Sequence, residues 1–180
     1  MTGIEILIEE HKHILSFLEL IEAECIEILN GKEVDSEMFF QAIDFIRNYA
    51  DGYHHKKEED ILFKYMVENL GEIAETLVRS GMLVEHDLGR YHTKELENAL
   101  NLYKEEKKDI TKLSIISHAM SYVDLLRRHI EKEDMVAYTY AKRQLSEDLM
   151  HRVDQEIKEV EETDESKAIR EKYLGILENL

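Results

Sequence analysis

The chain has no proline, no tryptophan, one cysteine and seven glycines. It also lacks any run approaching the roughly 18 apolar residues of a membrane-spanning helix. Without proline and with little glycine, a strand-and-turn architecture has few of its usual punctuation marks. The abundant Glu, Lys, Leu and Ile suit long helices, so an all-α fold is expected. The lone Cys25 excludes an intramolecular disulfide and fits a reducing compartment. Positive charge is scarce too: 23 Lys and Arg face 40 Asp and Glu, a formal net charge of −17. Nucleic acid and anionic membrane are therefore disfavoured as partners, since both are bound through Lys/Arg-rich surfaces. The first residues show no basic segment leading into an apolar one, so no signal peptide is read and a cytoplasmic location is expected.

What is present is enough apolar content, 43% of 180 residues, for one sizeable core. Helical stretches are read over 3–30, ended by Gly31, and from Asp35 or Ser36 to Leu70, ended by Gly71. A short connector over 72–80, closed by Gly81, leads to a third helix over 82–107. Asp109 or Thr111 opens a fourth that reaches Gln144. The expected architecture is an up-down-up-down four-helix bundle over 1–144, with extra helices over 145–180 that pack along the bundle or support a dimer.

Two His-x-x-x-Glu pairs, His54/Glu58 and His129/Glu133, lie on the second and fourth helices, and His11 and His86 lie on the other two. Residues advance by about 100° along an α-helix, so positions four apart share a face. Around His54, the residues Phe40, Ile43, Ala50, Ile61 and Tyr65 fall within about 40°, which centres it on the apolar stripe. His55 lies about 100° round, toward the flank. Around His129, Ile115, Tyr122, Leu125, Val136 and Tyr140 cluster with Glu133, while Asp134 lies about 140° away and is expected to face outward. His11 shares a face with Ile4, Leu7, Leu15 and Leu18, whereas His13 does not.

Axial position is an independent test. His11 lies 19 residues before its helix ends, His54 18 into the second, His86 21 before the third ends, and His129 20 into the fourth. An antiparallel bundle then sets all four histidines near one level. Neutral imidazoles with two carboxylates, gathered from four helices, suit a pair of hard-to-borderline metal ions, most plausibly iron; zinc or manganese can occupy the same donors. Two glutamates bridging two divalent ions leave a net charge near +2, with room for an oxo or hydroxo bridge and an outside ligand.

The segment His54-His-Lys-Lys-Glu58-Glu-Asp-Ile-Leu-Phe63, together with Glu10-His11, Glu85-His86-Asp87 and His129-Ile-Glu-Lys-Glu133, resembles the hemerythrin-like, HHE cation-binding family over residues 3–142. The resemblance implies a four-helix bundle with a non-haem di-iron centre ligated by His11, His54, Glu58, His86, His129 and Glu133, both glutamates being bridging candidates. It implies binding or sensing of dioxygen, nitric oxide or peroxide. Alternatives are a peroxide-reducing or iron–sulfur-cluster-repair protein, or an iron-handling one. The oxygen-carrying members have a further histidine four residues after the third-helix histidine, where this chain has Arg90. Arg90 is read as pairing with a nearby acid. A sensor of this form would act through a partner protein or a conformational change, and a protein partner or a homodimer is the partner expected.

Other residues receive structural readings. Tyr65, Tyr122 and Tyr140 lie on the ligand-facing stripes and are read as core packing. Glu22, Arg47 and His118 are expected to form a buried network at the far end of the bundle. His92 is read as surface or interhelical, His151 as exposed, and Cys25 as an inert core thiol.

Overall fold

The computed structural model describes residues 1–178. The first helix, α1 (Gly3–Leu29), starts at a capping box: Thr2 Oγ1 accepts from the Glu5 amide, and Glu5 accepts from the Thr2 amide. The chain reverses at Gly31, whose φ of 97° is the left-handed conformation that glycine adopts without strain. Asp35 caps the second rod, which runs as α2 (Ser36–Phe45), π1 (Ile46–His55), π2 (Glu58–Leu62) and α3 (Phe63–Asn69). Gly71, with φ of 70°, makes the next turn.

The third rod begins earlier than the glycine pattern indicates. It comprises α4 (Gly71–Leu77), π3 (Val78–Met82) and α5 (Leu83–Glu105). Gly81 does not close a connector. It lies within π3, whose backbone hydrogen bonds carry α4 into α5. A helix-stop reading of glycine needs a left-handed residue, and Gly81 is not one. The fourth rod runs as α6 (Asp109–Lys132), π4 (Glu133–Ala137) and α7 (Tyr138–Gln144). Two further helices follow, α8 (Glu147–Glu161), capped by Ser146, and α9 (Asp164–Glu178).

The four rods form the expected antiparallel bundle: α6 packs on both α1 and α5, and the second rod packs on α1 and α5. No strand occurs among the described residues. Helix α8 lies against α1 and π2, and α9 against α1 and π1. The α1–α8 approach is close: a Cβ on Gly3 would meet Ile157 Cδ1 at 2.8 Å, and the Gly3 amide donates to Asp154 at 2.6 Å.

Two apolar clusters fill the bundle. One runs from Ile14 to Ile28 on α1 and includes Phe17 stacked on Phe45, Tyr49, Leu96, Tyr103 and Ile130. The other joins Ile4 and Leu7 to Leu62, Met66, Met82, Tyr138, Val153 and Ile157. Each large apolar side chain so buried contributes about 1.5–3 kcal/mol. On every rod the ligand candidates fall at the junction of these clusters: His11 between Leu7 and Ile14, His54 between Tyr53 and Ile61, His86 between Met82 and Leu96, and Glu133 between Ile130 and Ala137. The fold thus holds one polar layer between two dry blocks, and burying that layer is tolerable only if its groups are paired or ligated.

Candidate metal centre

All six residues expected to meet do so. His11, His54, Glu58, His86, His129 and Glu133 are buried. His11 and His54 have ring centroids 4.6 Å apart, and His86 and His129 4.7 Å apart, with Nε2 atoms of the latter pair 3.0 Å from each other. Two imidazoles bound at ~2.1 Å and roughly at right angles to one ion would set their nitrogens about 3.0 Å and their ring centres about 4.6 Å apart. Both pairs therefore have the spacing of neighbouring ligands on a single ion.

Glu133 reaches between the pairs. Its Oε2 lies 3.2 Å from His11 Nε2 and its Oε1 3.1 Å from His129 Nε2, yet neither oxygen has a hydrogen-bond partner. Glu58 is placed differently: its Oε2 sits 3.6 Å from both His54 Nε2 and His86 Nε2, while its Oε1 accepts a short hydrogen bond from Tyr138. His54 Nε2 and Glu58 Oε2 are also without partners. Four orphaned polar atoms in one buried layer are what a donor set for cations leaves when its lone pairs are aimed inward. Donors here come close enough to hold metal in two groups, His11/His54/Glu58/Glu133 and His55/His86/His129.

The charge state follows from the crowding. Burial and the neighbouring Glu133 push the Glu58 carboxyl up to about 8. Burial would raise Glu133 as well, but His129, His11 and His86 outweigh it and hold that carboxyl well below the usual range. Burial opposes a charge on His129, yet Glu133 and Glu85 carry it up to about 10. His54 is held well below the ordinary histidine range by burial and by His11.

Four carboxylates, none of them in the predicted set, fix the imidazoles. A carboxylate can only accept, so each histidine Nδ1–H donates: His54 to Glu10 at 2.8 Å, His86 to Glu59 at 2.7 Å, His129 to Glu85 at 2.9 Å, and His11 to Asp134 at 2.9 Å. In the neutral imidazole that a cation requires, each bond leaves Nε2 as the lone-pair nitrogen aimed inward. The acids form a closed ring, in which α1 holds a histidine of the second rod, the second rod one of α5, α5 one of α6, and π4 one of α1. Each acid adjoins a candidate ligand in sequence, preceding it on the first and third rods (Glu10-His11, Glu85-His86) and following it on the second and fourth (Glu58-Glu59, Glu133-Asp134). One residue is about 100° of rotation, enough to turn a side chain from the core to the next helix. Antiparallel neighbours need the offset in opposite directions, which is the alternation observed. Asp134 therefore does not simply face outward; it is half-buried on His11.

His55 departs further from its expected place on the flank. It is buried and stacked on His86, with centroids 3.8 Å and planes 11° apart, and its Nδ1 lies 3.3 Å from Asp51. The cause is π1. Its wider turn holds more residues than the α-helix's 3.6, so two successive residues stay on the inner face. The same effect hides Tyr138, which lies nine residues beyond His129 and so about 180° away in a regular helix. With π4 intervening, Tyr138 is buried, stacks parallel to His11 at 5.5 Å, and bonds Glu58. Val136, expected on the inner stripe, is instead exposed, and Tyr140 is only partly buried.

The expected buried network of Glu22, Arg47 and His118 does not form. Arg47, rotated by π1, is exposed and pairs with Glu97 at 2.9 Å; Glu22 pairs with Arg127, and His118 lies beside His92. Each charge finds a partner without leaving water, which is cheaper than burial. Tyr65 packs partly buried against the second apolar cluster, as expected, with its hydroxyl on Glu156 at 2.5 Å. His151 is exposed, and Arg90 pairs with Asp51, Glu59 and Asp87, as expected.

These features define a helical bundle built around a buried histidine and carboxylate cluster suited to a metal cation. The family model for the hemerythrin HHE cation-binding domain matches residues 2–141, and the chain belongs to that family. No curated protein and no solved structure gives a match. Among the described residues, no helix is long and apolar enough to cross a membrane.

Proposed function

We propose that His11, His54, Glu58, His86, His129 and Glu133 hold two iron ions, one at each histidine pair, and that the protein binds or senses a small oxidant: dioxygen, nitric oxide or peroxide. The observation that carries this reading is the single-ion spacing of both pairs with the unpartnered Glu133 carboxylate extended between them. Mixed imidazole and carboxylate donors suit iron, with zinc and manganese as competitors. Bound iron would supply inner-sphere ligand binding and electrons.

The chain's own residues set the conditions for that chemistry. The carboxylate ring fixes every ligating imidazole by its far nitrogen, so no rotamer search accompanies metal entry. Glu133 is the first bridging candidate. Glu58 offers Oε2 while Tyr138 holds its other oxygen, so Glu58 is the more restrained of the two. The apolar clusters above and below keep bulk water from the layer.

His55 is not counted among the donors. An imidazole lone pair lies in its ring plane, so one ion bound by two imidazoles must lie in both planes. The stacked, nearly parallel rings of His55 and His86 share no such point.

Anaerobic loading with ferrous iron tests the proposal. About two irons per chain are expected, falling sharply in His54→Ala/Glu58→Ala; unchanged iron content in that variant contradicts the assignment. Titrating the ferrous protein in turn with oxygen, nitric oxide and peroxide then separates functions. A reversible spectral change marks a carrier or sensor, and sustained peroxide consumption with a reductant marks an enzyme.

A further inference from the structure

The outer face of α5 carries an apolar stripe. Val84, Leu88 and Tyr91 are 44–54% exposed, and positions four and seven apart on a helix share a face. Glu95 continues the line and accepts from Asn98 Nδ2 at 3.1 Å. Helix α5 is diagonal to α1 in the bundle, whereas α8 and α9 lie against α1 and the second rod, across the bundle from this face. Large apolar side chains contiguous on one exposed face mark an interaction surface, as scattered ones do not.

The spacing is that of a helix-pairing seam. Val84, Leu88, Tyr91 and Glu95 follow steps of four, three and four, the repeat by which two helices stay in contact. Asp87 and Lys94 lie seven apart on one edge of that seam, each one residue before a seam position, and both are exposed. Each is an added partner of a group that is already neutralised. Arg90, which Asp87 joins, also pairs with Asp51 and Glu59. Glu97, which Lys94 joins, accepts two bonds from Arg47. Either charge can therefore turn outward without orphaning its present partner.

Opposite charges on one edge of a seam specify how two copies pair. In an antiparallel pair this edge meets its own copy across a twofold axis. With Leu88 set opposite the partner's Tyr91, Asp87 falls beside the partner's Lys94, and Lys94 beside the partner's Asp87. Sliding by one heptad in one direction sets Asp87 against its own copy, and in the other direction Lys94 against its own copy. A parallel pair sets Glu95 against its own copy. Like charges so placed repel, so one register stands above its neighbours.

We propose that the outer face of α5 is a homodimer interface, on which a second copy packs antiparallel with Leu88 and Tyr91 in the seam and two Asp87–Lys94 pairs along its edge. The seam from Val84 to Glu95 is only about 17 Å long, so the association is reversible and not obligate.

Sedimentation analysis of the full chain as purified, over a concentration series at fixed salt, tests the proposal, with the helical content of every variant checked by circular dichroism. The wild type is expected to pass from the chain mass to twice that mass. Leu88→Arg should weaken association about tenfold or more, and Ile26→Arg, at an exposed position on α1, should leave it unchanged. Asp87→Lys and Lys94→Asp should each weaken self-association about tenfold. An equimolar mixture of these two reversals should associate at least as well as the wild type, because every edge pair in the mixed dimer is again of opposite sign. A wild type that stays monomeric at millimolar concentration overturns the proposal and leaves the stripe to a different protein. A dimer unaffected by Leu88→Arg, or a mixture that associates no better than either reversal alone, overturns the α5 pairing. If a reversal loses its helical content, Tyr91→Arg joins Leu88→Arg in the comparison with Ile26→Arg, and a dimer indifferent to both seam variants is then the contrary result.

Discussion

Glu10 holds His54 across the bundle, and not the His11 that follows it in sequence: its Oε2 lies 2.8 Å from His54 Nδ1. The same arrangement, repeated by Glu59, Glu85 and Asp134, makes each helix responsible for aiming a ligand on its neighbour. The centre is therefore a property of the assembled bundle, since no single helix carries both a candidate ligand and the acid that orients it.

The ring predicts graded losses. Glu10→Gln, Glu59→Gln and Glu85→Gln should each weaken metal affinity by about 10–100-fold, with the helical content unchanged. A chelator competition monitored by metal analysis measures this. Glu131→Gln, at an exposed position, is the control and should have no effect. Equal behaviour of the control and the ring variants would remove the orienting role.

His55 and His86 should separate cleanly. His55→Phe preserves the stack on His86 and should retain two metals per chain, whereas His86→Ala should lose metal from the His86/His129 position. Loss of a metal in His55→Phe would make His55 a ligand and overturn the plane argument.

The added helices reach the same layer. Lys57 is only 1% exposed, and its ammonium lies against Glu10, 2.5 Å from Glu161 of α8 and over the Tyr53 ring at 3.5 Å. Arg170 of α9 also bonds Glu161. Glu161→Ala leaves Lys57 with Glu10 alone and should cost about 2 kcal/mol in urea unfolding. The change should also weaken metal binding, because Glu10 is the partner of His54. A stability change without any effect on metal affinity would confine α8 to a packing role.

Cys25 gives the pH dependence. Burial, with Glu24 and Glu22 nearby, pushes its thiol from 9.0 up to about 11. A pKa raised on folding stabilises the folded state below the unfolded value, and that stabilisation is lost as pH rises from 9.0 to about 11. Native protein should resist iodoacetamide at neutral pH and react only as pH nears the upper value. Rapid labelling at pH 7 would place the thiol at the surface.

Much of this was legible in the amino-acid order. The absence of proline, the caps at Asp35 and Ser146, and Gly31 and Gly71 mark the rods, and the 3.6-residue period with axial counting brings His11, His54, Glu58, His86, His129 and Glu133 together. What escaped lies within or beyond π1 and π4. A constant 100° per residue misplaces His55, Arg47, Val136 and Tyr138, because a π segment turns less per residue and every later phase inherits the error. Such segments recur at functional sites, and here they adjoin the histidine and carboxylate layer. The carboxylate ring was legible in principle, as an acid one residue before the donor on odd rods and one after on even rods. Reading it requires the antiparallel order first.

Anomalous diffraction at the iron edge from crystals of the iron-loaded protein tests the central claim most directly. The account predicts two peaks, one within bonding distance of His11 and His54 Nε2 and one within bonding distance of His86 and His129 Nε2, with Glu133 between them. A single peak, a peak ligated by His55, or no peak in the polar layer would contradict it.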